Sequence, residues 1–179
     1  FRLEGVVSTF LPETVETFEL RTGSMSARHG DRLSSVLEVR SRSGDPRRWL
    51  GGSGAASLSD ANVVLEGRLP GNRNASWLVA GRRTYYDLVA ERFVAADFPG
   101  SQDLQLNLSW PFGERSRLVL SGQQGRETGD AGGLDGPGED WPSDRFHHRS
   151  RDELWAATLD LGLGRSLTSS TTLSSYDHP

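Results

Sequence analysis

The sequence predicts a mainly β protein made of antiparallel strands. The clearest indication is the segment 104–110, in which Leu104, Leu106, Leu108 and Trp110 alternate with polar residues. Because successive side chains of a strand face opposite sides, this period of two predicts a strand with one apolar and one polar face. Similar runs recur along the chain, separated by turns rich in Gly and Pro.

Composition narrows the class of protein. The 179 residues contain 35% hydrophobic residues and no cysteine, which excludes disulfides, thiol chemistry and cysteine metal sites. No window approaches the roughly 18 consecutive apolar residues of a transmembrane helix, which excludes a helical membrane protein. A net charge of -4 does not favour nucleic acid as a partner.

The first part of the chain, residues 1–44, predicts a small unit with a pair of strands. Leu11-Pro12-Glu13 favours a turn or a single helical turn, because Pro and acidic residues suit a helix start. Residues 18–22 and 36–39 are strand-like runs, and Gly30 lies between them. The composition changes at Asp45, which places a domain boundary between 1–44 and 45–179.

The second part predicts about seven strands. Residues 49–59 and 61–69 suggest a pair turned near Ser59 and Asp60. The later strands are predicted at 77–86, 104–110, 117–126, 155–163 and 167–176, with a long polar loop at 129–151.

The turns alternate between short and long, as in an outer-membrane barrel, where periplasmic turns are short and extracellular loops long. Aromatic residues lie near the strand boundaries, as in a girdle at the membrane interface. A soluble core covered by the apolar faces is the alternative reading of the same pattern. The aromatic residues concerned are Trp49, Trp77, Tyr85, Tyr86, Trp110, Trp155 and Tyr176.

Three motifs resemble the TonB-dependent outer-membrane receptors, a family with a plug domain inside a barrel. They are residues 18–23 (FELRTG), residues 26–30 (SARHG) and the strand-like run 32–39 (RLSSVLEV), with further likeness at 65–70 and 77–88. The resemblance implies the C-terminal part of a small α/β plug domain at 1–44. A partial transmembrane antiparallel β-barrel would follow at 45–179.

The resemblance also implies function. Such a protein lies in the cell outer membrane and imports a small molecule, metal chelate or oligosaccharide with energy relayed by TonB. The chain would be an internal fragment, with the segment that binds TonB missing upstream. Outer-membrane lipid is the other implied partner, and no cofactor is implied.

The motif departs from the common form of the family at two positions. Thr22 stands directly before the first glycine, where the family has Arg, and His29 stands where it has Tyr. The family has ion pairs between plug and barrel, and in this chain we therefore assign that role in the plug only to Glu19. Arg82 and Arg83 are the candidate barrel partners; alternatively, they bind a phosphate or another anion.

Candidate residues near the ligand lie in the plug bend and in the long polar loop. One paired-histidine group, His147 and His148 with Asp144, Asp140 and Glu139, could instead hold a metal ion, but adjacent histidines point apart in an extended chain. A solvated extracellular loop is the favoured reading. The ligand-proximal candidates are Ser24, Met25, Arg28, His29, Asp140, Trp141, His147 and His148.

No catalytic motif is present, so we expect the chain not to be an enzyme. It has no Gly-x-Ser-x-Gly, no Walker loop and no dinucleotide fingerprint. Two other functions remain open at this stage. One is a structural or adhesive outer-membrane barrel without a plug, and the other is a soluble β-sandwich binding module.

Overall fold

The computed structural model describes residues 11–23, 35–85, 100–131, 146–164 and 166–178. The described part of the chain is mainly β, and its sheets are antiparallel. Among the described residues there is no α-helix, and hence none that is long and apolar enough to cross a membrane.

The described residues of 11–44, which we call the N-terminal unit, form a two-stranded sheet. A single 3-10 turn, Pro12–Thr14, leads into β1, Val15–Thr22, which pairs antiparallel with β2, Ser35–Ser41. The turn begins at Pro12 because a proline at the first helical position has no N–H to leave unsatisfied. Both the turn and the strand pair were predicted from the sequence.

The rest of the chain forms one seven-stranded antiparallel sheet in which each strand pairs with the next along the chain. The sheet is open within the described residues, because its first and last strands have one neighbour each. Its strands are β3 (Gly51–Ala56), β4 (Asp60–Arg68), β5 (Ser76–Thr84), β6 (Gly100–Phe112), β7 (Ser116–Ala131), β8 (Phe146–Leu163) and β9 (Leu167–Asp177).

The described residues of 45–179 form seven strands, whereas the predicted long polar loop is shorter than expected. The long polar loop was expected at 129–151, but β7 continues to Ala131 and β8 begins at Phe146. Glycines and charges in this region did not end the strands because the β7 and β8 backbones stay in register from Arg117 opposite Asp160 to the strand ends. Composition therefore overestimated the length of the loop.

The two ends of the sheet differ. The connections 69–75, 113–115 and 164–166 lie at one end, which we call the short-turn end. Gly71, Gly113 and Gly164 adopt positive φ there, a conformation that glycine takes without steric cost. The opposite end, which we call the long-loop end, carries the three-residue turn 57–59 between β3 and β4. The strands that flank residues 86–99 and 132–145 also have their ends there.

The two faces of the sheet also differ. The register places Ser76, Arg82 and Thr84 of β5 on the same face as Ser109, Asp103 and Ser101 of β6, and we call this polar face the inner face. The opposite, outer face is mostly apolar. It carries Val63, Leu65, Trp77, Val79, Leu104, Leu106, Leu108, Trp110, Leu118, Leu120, Trp155, Leu159 and Leu161.

Candidate functional site: the contact between the N-terminal unit and the sheet

The inner face of β6 is buried although it is polar. Five alternate residues are each at most 6% exposed, while Leu104 between them on the outer face is 51% exposed. Buried polar groups require hydrogen-bond partners, because a group left without one costs about 1–3 kcal/mol. The buried residues are Ser101, Asp103, Gln105, Asn107 and Ser109.

The N-terminal unit supplies several of these partners at the middle of β6. The hydroxyl of Thr14, which is fully buried, lies 2.6 Å from Oε1 of Gln105. The amide Nε2 of the same glutamine donates to the hydroxyl of Ser41 over 3.0 Å. Nδ2 of Asn107 donates to the carbonyl oxygen of Arg42 over 3.2 Å. Both ends of Gln105 are thus used to hold the 3-10 turn and β2 against the sheet.

An ion pair joins the unit to β4. Nη2 of Arg42 lies 2.7 Å from Oε2 and 2.8 Å from Oε1 of Glu66, and Nη1 donates to the carbonyl oxygen of Glu13 over 2.9 Å. Nδ2 of Asn62 donates to Oε1 of Glu13 over 2.9 Å. The guanidinium of Arg42 therefore binds the carboxylate of Glu66 in the sheet and the backbone carbonyl of Glu13 in its own unit.

The end of the unit lies close to the backbone of β5. The hydroxyl of Ser76 donates to the carbonyl oxygen of Ser43 over 2.6 Å. Gly44 follows with φ of +85°, and a Cβ at this position would overlap the carbonyl oxygen of Trp77. Glycine is required here both by the left-handed backbone and by the close approach of the two chains.

The apolar part of the contact is small. Leu11 packs with Val64 of β4 and with Leu78 and Ala80 of β5, each at most 2% exposed. This cluster contains all the buried apolar residues of the described part of the chain except Ala75. Polar contacts therefore account for most of the attachment of the N-terminal unit.

A second ion pair lies on the inner face toward the long-loop end. Nη2 and Nε of Arg82 donate to Oδ2 of Asp103 over 2.6 and 3.0 Å. The two residues are directly opposite on β5 and β6, and their side chains are 12% and 1% exposed. The attraction between the two charges offsets part of the cost of removing them from water.

The outer face exposes large apolar side chains at many points. Leu120 and Trp155 in the middle of the sheet are 40% and 51% exposed, and Leu173 on β9 is 77% exposed. The ring of Trp155 covers Gly122 on the neighbouring strand, where any Cβ would overlap it. In β6, the usual arrangement of a water-soluble sheet, with apolar residues buried and polar residues exposed, is therefore inverted.

Comparison with known proteins adds nothing to this description. No protein-family model, no curated protein and no solved structure matches the chain.

The predicted contact residues between plug and barrel are only partly brought together. Nη2 of Arg21 lies 2.9 Å from Oε1 of Glu19 on the same strand, an exposed pair that raises the pKa of Arg21. Arg82 faces inward, as expected of one member of the arginine pair, and it binds Asp103 of the sheet. Arg83 lies on the outer face and is exposed. The structure thus separates Glu19 from Arg82.

The ligand-proximal candidates are not tested. Their positions lie outside the described residues, except that the backbones of His147 and His148 belong to β8. Asp144 and Glu139 of the possible metal group also lie outside. Among the described residues, no group of three or more His, Asp or Glu side chains could hold a metal ion. The untested candidates are Ser24, Met25, Arg28, His29, Asp140 and Trp141.

Sequence reasoning missed Arg42 and Glu66 as the ion pair that joins the two parts. One signal was available in the sequence. Asp103, Gln105 and Asn107 alternate strictly with leucines, and a row of such residues predicts a polar surface that other groups must contact. The partner segment was not foreseeable, because contacts between residues 14 and 105 depend on tertiary packing.

Replacement of Thr14 by Val should weaken this attachment. The substitution keeps the shape of the side chain but leaves Oε1 of Gln105 without the Thr14 hydroxyl, at an expected cost of about 1 kcal/mol. The measurement is the free energy of unfolding from urea titration, with amide exchange in β1 and β2 as a local readout. Thr172→Val is the matched control, because its hydroxyl bonds to Thr158 at an exposed site within the sheet. Equal effects of both variants would contradict the proposed importance of the contact.

Proposed function

We propose that the chain is part of a TonB-dependent outer-membrane receptor, with the N-terminal unit as the end of its plug and β3–β9 as the first strands of its barrel. One observation carries this proposal. The N-terminal unit covers the polar face of β4–β6, whereas large apolar side chains on the opposite face of the sheet are exposed. Lipid outside a barrel and a folded plug inside it would account for both faces.

The ends of the sheet support the same orientation. Outer-membrane barrels have short periplasmic turns and longer extracellular loops, with aromatic residues at both edges of the apolar band. The short-turn end carries Trp110 and Phe112 on or beside the outer face, 42% and 40% exposed. We therefore assign the short-turn end to the periplasmic side and the long-loop end to the cell exterior.

The composition of the contact supports movement of the plug. Hydrogen bonds and one ion pair can be exchanged for water at a net cost of about 1 kcal/mol each, whereas an apolar core resists separation. The attachment consists mainly of such polar contacts, centred on Gln105 and Arg42. Energy relayed by TonB could thus displace the unit without unfolding the sheet.

The two alternative functions receive less support. A soluble β-sandwich would bury the apolar row of β6 against a second sheet, but Leu104 is 51% exposed, and the N-terminal unit contacts the polar side through Thr14 and Ser41. A structural or adhesive barrel without a plug would use residues 11–44 as further barrel strands. In the described residues β1 and β2 pair only with each other.

The deciding experiment uses the full-length protein in a Gram-negative host. We expect it in the outer-membrane fraction, folded in detergent micelles and changing its electrophoretic mobility on heating. Calorimetry should then detect binding of the periplasmic domain of TonB. Folding in water without detergent would contradict the membrane location, and a folded barrel that does not bind TonB would favour the adhesive alternative. The transported ligand, whether small molecule, metal chelate or oligosaccharide, would be sought afterwards.

A cysteine at position 14 should report movement of the plug. Thr14 is fully buried against Gln105, so the thiol of Thr14→Cys is shielded from a maleimide reagent while the unit is attached. We expect faster labelling in energised cells with TonB than in cells without it. Thr172→Cys on β9, exposed in the sheet, should label equally in both. Equal labelling of Thr14→Cys with and without TonB would contradict the proposed movement.

A further inference from the structure

We propose that the outer face binds a phosphate-bearing lipid of the outer leaflet, with its head group on a row of three arginines. This inference rests on the proposed membrane location and specifies a ligand for the barrel wall. The arginines are Arg83 of β5, Arg126 of β7 and Arg151 of β8. Together with Gln102 of β6 we call them the arginine row.

The register places the arginine row side by side on four adjacent strands. Arg83 is opposite Gln102, Gln102 is opposite Arg126, and Arg126 is opposite Arg151. Side chains directly opposite on one face have Cβ atoms about 4.5–5.5 Å apart, and like charges in such positions destabilise a sheet. An anion bound between Arg126 and Arg151 would remove this repulsion.

Within the described residues, ion pairs neutralise little of this charge. Nη2 of Arg151 lies 3.1 Å from Oε2 of Glu153, two residues along the same strand. Arg83 and Arg126 are exposed and form no ion pair with any residue in the described part of the chain. The row therefore retains positive charge at the position where the apolar outer face ends.

Two cavities adjoin the arginine row, and one of them reaches apolar surface. One of about 480 Å³ is lined by all members of the row, with Ser101, Glu127 and Ser150 among its other residues. The second, of about 520 Å³, shares Arg83, Gln102 and Arg126 and extends toward the short-turn end between Val63 and Leu104. Gly81 opens this groove because it has no side chain, and a Cβ there would meet no atom closer than 3.9 Å.

The chemistry of the two parts specifies one occupant. Guanidinium groups bind phosphate oxygens with paired N–H donors, and their charge suits an anionic head group at the edge of a membrane. The groove over Gly81 can take an acyl chain, which free phosphate lacks. The long-loop end is the exterior side of the proposed barrel, so the lipid belongs to the outer leaflet.

The test uses the full-length protein in detergent micelles and native mass spectrometry with diphosphoryl lipid A as the probe. The triple variant Arg83→Gln, Arg126→Gln, Arg151→Gln should bind the probe about a hundredfold more weakly, from roughly fivefold for each arginine near a charged membrane surface. Gly81→Leu should fill the groove without backbone overlap and weaken binding about tenfold. A monophosphoryl probe should bind less tightly than the diphosphoryl one.

A matched triple variant at the short-turn end controls for total charge. Arg47→Gln, Arg68→Gln and Arg73→Gln remove the same charge and should leave affinity for the probe unchanged. Unchanged affinity in the arginine-row variant, or an effect as large in the control, would overturn the proposal. Inorganic phosphate that competes at the same concentration as the lipid would overturn the assignment to a lipid.

Failure of this inference can be told apart from failure of the proposed function. If the protein shows heat-modifiable mobility and binds the lipid probe only as tightly as the arginine-row variant does, it is a membrane barrel without this site. A protein that folds in water has no lipid-facing wall, and both proposals then fail. If the triple variant does not fold, Gly81→Leu still decides, because unchanged lipid affinity in that variant contradicts the site.

Discussion

Replacement of Asp103 by Ala is expected to lower the free energy of unfolding by about 3–5 kcal/mol. The substitution removes the carboxylate that binds Arg82, whose side chain is only 12% exposed. The guanidinium then stays largely out of water without this counter-charge. Loss of one partner from a buried pair costs more than the pair itself contributes, because desolvation of the remaining charge is no longer offset.

The measurement is a urea titration of the full-length protein folded in micelles. Asp160→Ala is the control, because its partner Arg117 is 52% exposed and such surface pairs contribute about 0–1 kcal/mol. The double variant Arg82→Ala with Asp103→Ala should be more stable than Asp103→Ala alone, since it removes the buried charge as well. Additive losses in the double variant would show that the two side chains do not act as a pair.

The strands were predictable from the sequence because their signal is local. Alternation around Leu104, Leu106 and Leu108 fixes the position and the two faces of β6, and Gly71, Gly113 and Gly164 mark the short turns. The ends of β7 and β8 were not predictable. Their last residues are polar and rich in glycine, and they remain strands through pairing with each other rather than through their own preference.

The residues that join the N-terminal unit to the sheet were not predictable from the sequence. The resemblance implied ion pairs between plug and barrel and pointed to Glu19, whereas Arg42 and Glu66 form the pair. Glutamate and arginine are both common on protein surfaces. Only tertiary packing therefore decides which carboxylate pairs with which guanidinium. The arginine row was likewise hidden, because cross-strand register is needed to bring Arg83, Arg126 and Arg151 together.

Replacement of Leu120 by Arg is expected to destabilise the protein in a bilayer by about 2–4 kcal/mol. Leu120 lies on the outer face between Leu108 and Ala157, in the middle of the apolar rows, and is 40% exposed. An arginine there must place its charge in hydrocarbon or extend toward the interface. The same change on the surface of a water-soluble sheet alters stability by no more than about 0.5 kcal/mol.

Leu120→Arg is therefore expected to change stability by different amounts, depending on whether lipid or water contacts the outer face. Unfolding of the Leu120→Arg protein should be compared in lipid vesicles with that of Leu58→Arg, which lies in the turn between β3 and β4 and is 78% exposed. We expect a loss at Leu120 and no change at Leu58. A difference near zero between the two variants would mean that water, not lipid, contacts the outer face, and the receptor proposal would then lose its main support.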